Sequence, residues 1–191
     1  MMLAALTSLA LAVASDGSQD CPMHAQHEAG SAPMAATAAT RSPYSGEEDR
    51  AIKALSDADV KAYLEGAGMG LAKAAELNRY PGPRHVLDNV AALELSDAQR
   101  TAIEASFQRM KAEAVTLGRG IVAAEQRLDA LFAERRASPA TVSDLTREVA
   151  ELQGQLRAVH LRAHVEVRAL LTPEQIARYT TLRGYGSGGV Q

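Results

Sequence analysis

The chain has 191 residues and no tryptophan. Two phenylalanines and five tyrosines bring its aromatic content to only 4%. Aromatic side chains supply much of the bulk of a thick globular core. β-branched residues are also sparse, and strands favour both types. These two shortages argue against sandwiches, barrels and most α/β folds. A single cysteine, Cys21, excludes an intramolecular disulfide framework and any multi-cysteine zinc site. There is no basic run: 20 Lys and Arg stand against 23 Asp and Glu, a formal charge of -3. Phosphate-backbone binding needs clustered cations, so nucleic acid is not an expected partner. The mixed signs suit solvated helix faces. No nucleophile–base pair or acid–base carboxylate pair stands out, so the expectation is a protein that is not an enzyme and requires no cofactor.

What remains is alanine and leucine, 38 and 21 residues respectively. Both are strong helix formers. Alanine buries little area, so long, thin helix-on-helix contacts fit this composition better than a deep core.

The N-terminus reads as an export signal. Leu3–Ala14 is a small-apolar run interrupted only by Thr7 and Ser8. It has the length of a signal-peptide core and is short for a membrane span. Ala12-Val13-Ala14 fits the small-x-small cleavage rule, with residues 1–14 removed. The positive residues that usually precede such a run are missing, and an uncleaved membrane anchor is the alternative. Residues 15–45 are a low-complexity tail of Ala, Ser, Gly, Thr and Pro, expected to be disordered. Short helices are expected over 46–82, a helical hairpin domain over 83–183 and a flexible glycine-rich end over 184–191.

One pattern occurs three times: Leu55-Ser56-Asp57-Ala58-Asp59, Leu95-Ser96-Asp97-Ala98-Gln99 and Leu171-Thr172-Pro173-Glu174-Gln175. Ser56, Ser96 and Thr172 are placed to accept from a first-turn N–H, and Gln99 and Gln175 to reach back to the cap. Asp59 is less suited to that return bond. Each leucine can form a hydrophobic staple, and Pro173 takes the tolerated first helical position. These are three helix starts.

From Ser96 to about Arg135 the apolar residues Ile103, Phe107, Met110, Ala114, Leu117, Ile121, Ala124, Leu128 and Leu131 step alternately by four and three. That is a heptad seam. Arg136–Ala140 interrupts it, with Ser138 and Pro139 suited to a cap and first turn. Val142, Leu145, Val149, Leu152, Leu156, Val159 and Ala163 then repeat the spacing. Two such helices joined by a short turn form an antiparallel hairpin. Forty helical residues span ~60 Å, longer than the ~40 Å of a compact globule of this size. The hairpin therefore projects or is covered by a second chain. Leu161 and Val165, off the main seam, favour a homodimer. Gly118, Gly120 and Gly154 predict a bend or a close helix approach where Gly120 and Gly154 stand level.

At this point the sequence resembles the LTxxQ-motif family of periplasmic proteins, to which the Spy and CpxP chaperones, the zinc-resistance-associated protein ZraP and the metal-sensing CnrX type belong. The resemblance rests on the motifs ending at Gln99 and Gln175, on the hairpin between them, and on the preceding signal. It covers about residues 83–183, and Ser96 departs from the usual threonine. It implies an all-α, cradle-like homodimer in the periplasm that binds unfolded envelope proteins without ATP, or binds metal and reports stress to a membrane sensor kinase or an anti-sigma factor. The glycine cluster at 66–70 lacks the Lys-Ser/Thr of a nucleotide loop, in keeping with ATP independence.

Two sets of metal ligands are candidates. His160 and His164 lie one turn apart and could hold Zn, Cu or Ni with a third ligand from elsewhere, such as Glu113 or His85. The plainer reading is two exposed histidines on a solvated face. Cys21, Met23, His24, His27 and Met34 form a soft-ligand cluster in the tail, although low-complexity composition readily produces one by chance. For client binding, Phe107, Met110, Leu117 and Ile121, with Leu161 and Val165, could line an apolar surface. The alternative is that the stripe is simply the hairpin core. A purely structural coiled-coil module is the remaining alternative.

Overall fold

The computed structural model describes residues 41–185. Its six helices are α1 (Asp57–Leu64), α2 (Lys73–Leu77), α3 (Pro83–Leu87), α4 (Asp97–Ala133), α5 (Pro139–Leu170) and α6 (Pro173–Leu182). Among the described residues there is no strand, only an isolated bridge between Ile52 and Leu55. The architecture is the all-α one expected, dominated by the α4–α5 hairpin with short helices flanking it. The expected export signal and the tail's cysteine, methionines and histidines lie outside the described residues.

The helix starts follow from local hydrogen bonding. Ser56, Ser96 and Thr172 each accept from the backbone N–H three residues on, and the side chain there reaches back to the cap N–H. Asp59 closes its box as completely as the glutamines do, with Oδ2 3.1 Å from Ser56 N. Its carboxyl is held below the usual range, chiefly by the Ser56 side-chain and backbone hydrogen bonds. A fourth box joins Ser138 to Thr141 at the start of α5. Left-handed residues Gly66 and Gly70 follow the end of α1, where glycine escapes the Cβ clash.

α4 and α5 are antiparallel, joined by residues 134–138. Arg127 pairs with Glu148, Glu113 with Arg162 and Arg109 with Glu166. Each α4 partner thus meets an α5 residue at one constant register. Between the helices lie the predicted seam residues, with Ile103, Ala114, Ile121 and Ala124 fully buried.

The hairpin is packed unevenly along its length. At its base Val86, Leu93, Ile103, Val167, Leu171 and Tyr179 form a cluster, five of them no more than 1% exposed. Toward the tip Leu128, Leu131, Val142 and Leu145 are only half-buried, and Phe132 is 58% exposed.

Residues 52–82 run along one face of the hairpin as a strap. Ile52 and Leu55 pack on Val122, and Tyr63 and Leu71 pack on the cluster of Ala114, Ile121 and Leu156. Gly118 is required by this packing: a Cβ there would stand 2.1 Å from the Tyr63 carbonyl oxygen. The close approach therefore falls at Gly118 and α1, not between Gly120 and Gly154. Gly120 touches the Leu152 side chain and Gly154 faces open space. Heptad spacing could not distinguish a second chain from an earlier segment of the same chain, and here the same chain covers this face.

Candidate functional site

The two glutamines of the repeated motif meet across the base. Gln99 Nε2 donates to Gln175 Oε1 at 2.8 Å, and Gln175 Nε2 to Gln99 Oε1 at 3.1 Å. Each glutamine oxygen also accepts from its own cap N–H. Gln99 donates to the Leu170 carbonyl at the end of α5, and Gln175 to the Leu93 carbonyl before α4. Two capping boxes are thus fused into one node. It gives partners to the carbonyl at the end of α5 and to one in the turn before α4. Its role is structural.

A buried polar cluster lies where the strap meets α5 and α6. Glu76, on α2, accepts at Oε1 from the Tyr179 hydroxyl (2.6 Å), the Tyr185 hydroxyl (3.0 Å) and Arg183 Nε (3.3 Å). Burial, then the hydrogen bond and charge of Glu76, push the Tyr179 phenol well above its ordinary range. Glu76 Oε2 is buried without a hydrogen-bond partner, 3.7 Å from His164 Nδ1. That ring nitrogen is 2.7 Å from the Tyr80 carbonyl, so it carries a hydrogen and donates. Gly82 admits the ring: a Cβ there would lie 2.9 Å from His164 Cε1. Beside it Arg168 stacks over the Tyr80 ring and donates to the Arg79 carbonyl.

His160 and His164 are not on a solvated face. They are 4% and 9% exposed, because the strap crosses the helix there. Burial, reinforced by neighbouring His164, pulls the His160 pKa below its ordinary value. Its Nε2 has no hydrogen-bond partner. The third ligands considered are otherwise engaged: Glu113 pairs with Arg162, and His85 faces Asp88 at 3.8 Å. Among the described residues no group of three or more His, Cys, Asp or Glu is arranged to hold a metal ion. A two-histidine donor set does not fit a complete metal centre.

On α4, residues 114, 118 and 122 meet the strap, whereas 112 and 116 lie about 80–160° away round the helix at 100° per residue. There an open groove of about 570 Å³ runs between the helices. Ala112, Thr116, Leu117, Ala158 and Val159 line it, with the Glu113–Arg162 pair at its edge. The candidate client residues divide. Ile121 and Met110 are buried, and Phe107 and Leu117 pack half-buried against the seam. Leu161 is half-buried, and Val165 is 56% exposed.

Glu76 was invisible to sequence reading. It sits in a five-residue helix with no periodic signal, and its partners are about a hundred positions away. The small residues Ala112 and Ala158 could have marked the groove, as gaps flanking the heptad seam.

Taken together, the fold and site define an all-α hairpin protein whose repeated motif is a structural node, with an apolar groove along the hairpin. The chain belongs to the LTXXQ motif family, whose model matches residues 84–183. Proteins of this family are typically periplasmic, and among the described residues no helix is long and apolar enough to cross a membrane. No curated protein and no solved structure matches the chain.

Proposed function

We propose that the protein is a periplasmic, ATP-independent chaperone or envelope-stress accessory protein of the Spy/CpxP type, binding rather than catalysing. The observation that carries this reading is the open groove between α4 and α5, apolar along its floor and edged by charge. Shallow apolar surface beside mixed charge suits weak, promiscuous contact with exposed apolar segments of unfolded chains. Export as a cleaved precursor and assembly as a homodimer belong to the same reading. So does a link to a membrane sensor kinase or an anti-sigma factor. The test is aggregation of a reduced, unfolding client followed by light scattering with substoichiometric purified protein. Delayed aggregation is expected, and Ala158→Glu, which puts a charge on the groove floor, should weaken it. If wild type leaves the aggregation curve unchanged, the reading fails.

A second reading, metal sensing or buffering, draws on one feature: the unpartnered, buried Nε2 of His160 one turn from His164. Two imidazoles give the start of a site for Zn, Cu or Ni and would need a ligand from beyond the described residues. Calorimetric titration of each ion into wild type and a His160→Ala/His164→Ala variant decides it. Equal binding in both removes these histidines from any site.

A further inference from the structure

The strap lies outside the region that matches the family, which begins at residue 84. It nevertheless occupies the hairpin face opposite the open groove. Most of its apolar contacts with that face are only half-buried, those of Val60, Tyr63 and Leu71 among them. α1 and α2 contain no buried residue. Ile52 and Leu55 are its buried apolar anchors before Pro81. Met69 and Arg79 adopt left-handed backbone, which disfavours side-chain-bearing residues. Its far end is fastened mainly by polar contacts: the Tyr80 carbonyl to His164, the Arg79 carbonyl to Arg168, and Glu76, which buries one carboxylate oxygen without a hydrogen bond. Leaving a buried polar atom unpaired weakens the closed state. Half-buried apolar packing and a largely polar fastening are the marks of a segment that opens before the whole protein unfolds. What it covers is apolar: Ala114, Ile121, Val122 and Leu156.

We propose that the strap, residues 52–82, is a displaceable cover latched by Glu76 against His164, Tyr179 and Arg183, and that its release uncovers a second apolar surface for an unfolded polypeptide. The proposal rests on the chaperone reading but concerns a different face from the open groove. Closed, the protein binds through the groove alone. Open, both faces of the hairpin are available, and an unfolded chain competes with the strap for the inner one. A ligand that binds only the open form shifts the balance toward it.

Two substitutions open the strap from opposite ends. Gly118→Ala drives its new Cβ into the Tyr63 carbonyl, while favouring α4 itself, since alanine is the better helix former. Glu76→Gln removes the charge of the latch with little change of shape. A third form locks the strap. Lys53 N lies 3.2 Å from Asp129 Oδ1, so a Lys53→Cys/Asp129→Cys pair, with Cys21→Ser, can be joined by dibromobimane. Trypsin cleavage after Lys73 and Arg79, read by mass spectrometry, reports opening, and client light scattering reports binding. Circular dichroism checks that the hairpin remains.

Both opening variants should be cut about tenfold faster than wild type. They should halve the dose needed to suppress aggregation, whereas the locked form is cut more slowly and keeps only wild-type potency or less. Faster cleavage with unchanged potency overturns the proposal, as does unchanged cleavage in both variants. If wild type is active and the opening variants are no better, the cover is wrong and the chaperone reading stands. If wild type and variants are all inert, both fail. An inert wild type with active opening variants would support the cover and reject the groove.

Discussion

The two ends of the hairpin are built differently. At the base, α3, α4, α5 and α6 converge on Ile103, Val167 and Tyr179, which are almost completely buried, with the fused glutamine node beside them. At the tip only two helices remain, Phe132 stands in solvent, and the contacts are half-buried leucines and an exposed Arg127–Glu148 pair. The same heptad spacing runs through both. What separates them is the number of elements around the seam. Two helices shield one stripe each, and only further segments can dry the sides.

The largest expected break in this contrast comes from truncating the same kind of side chain at each end. Ile103→Ala should lose about 2–5 kcal/mol in urea unfolding, the range for a fully buried aliphatic residue. Leu131→Ala, half in water, should lose less than ~1.5 kcal/mol, because little apolar area is returned to solvent. Equal losses would mean that the tip is as well packed as the base.

Next in size is the node. Gln175→Ala removes donors to the Leu93 carbonyl and to Gln99, leaving buried acceptors without partners. A loss of about 1–3 kcal/mol follows, and Gln99→Ala added to it should cost far less than the sum of the single changes. Full additivity in the double-mutant cycle would refute the fused node.

The third effect is pH-dependent and is seated between the two ends. The pKa of folded His160 lies below the ordinary 6.5, mainly through burial. The unfolded chain takes up its proton first as pH falls. The stability this histidine contributes is therefore complete above about pH 6.5 and is lost below it, with a slope of at most ~1.4 kcal/mol per pH unit. Comparing urea midpoints at pH 7.5 and 5.5 for wild type and His160→Gln isolates it, since the variant should lose less on acidification. The smallest effect is at the tip surface. Replacing Arg127 and Glu148 together with alanine should change stability by no more than about 1 kcal/mol, as for other exposed pairs, and less still at high salt.

Much of the hairpin was legible beforehand, and much of the polar cluster was not. The caps at Ser56, Ser96 and Thr172 act over three residues, and the seam repeats every seven, so both leave a pattern in a short window. The histidines are legible as a pair, whereas their burial is not, and it removes the exposed-face alternative. Whether a helix face is wet depends on what crosses it, and here that is a strap more than eighty positions earlier, whose Tyr80 carbonyl meets His164. The stripe from Phe107 to Ile121 suits a surface or a core by spacing alone, and it packs into the seam.

Sequence alone therefore determined the helical class, the starts of α1, α4, α5 and α6 and the antiparallel pairing of α4 with α5, because each rests on hydrogen bonds or periodicity between near neighbours. Tertiary structure alone decided that Gln99 meets Gln175, that Glu76 reaches His164 and Tyr179, and that Gly118 receives α1. Those contacts join residues separated by roughly fifty to a hundred positions. No local preference encodes them, and they exist only because the folded hairpin brings its own earlier segment onto one of its faces.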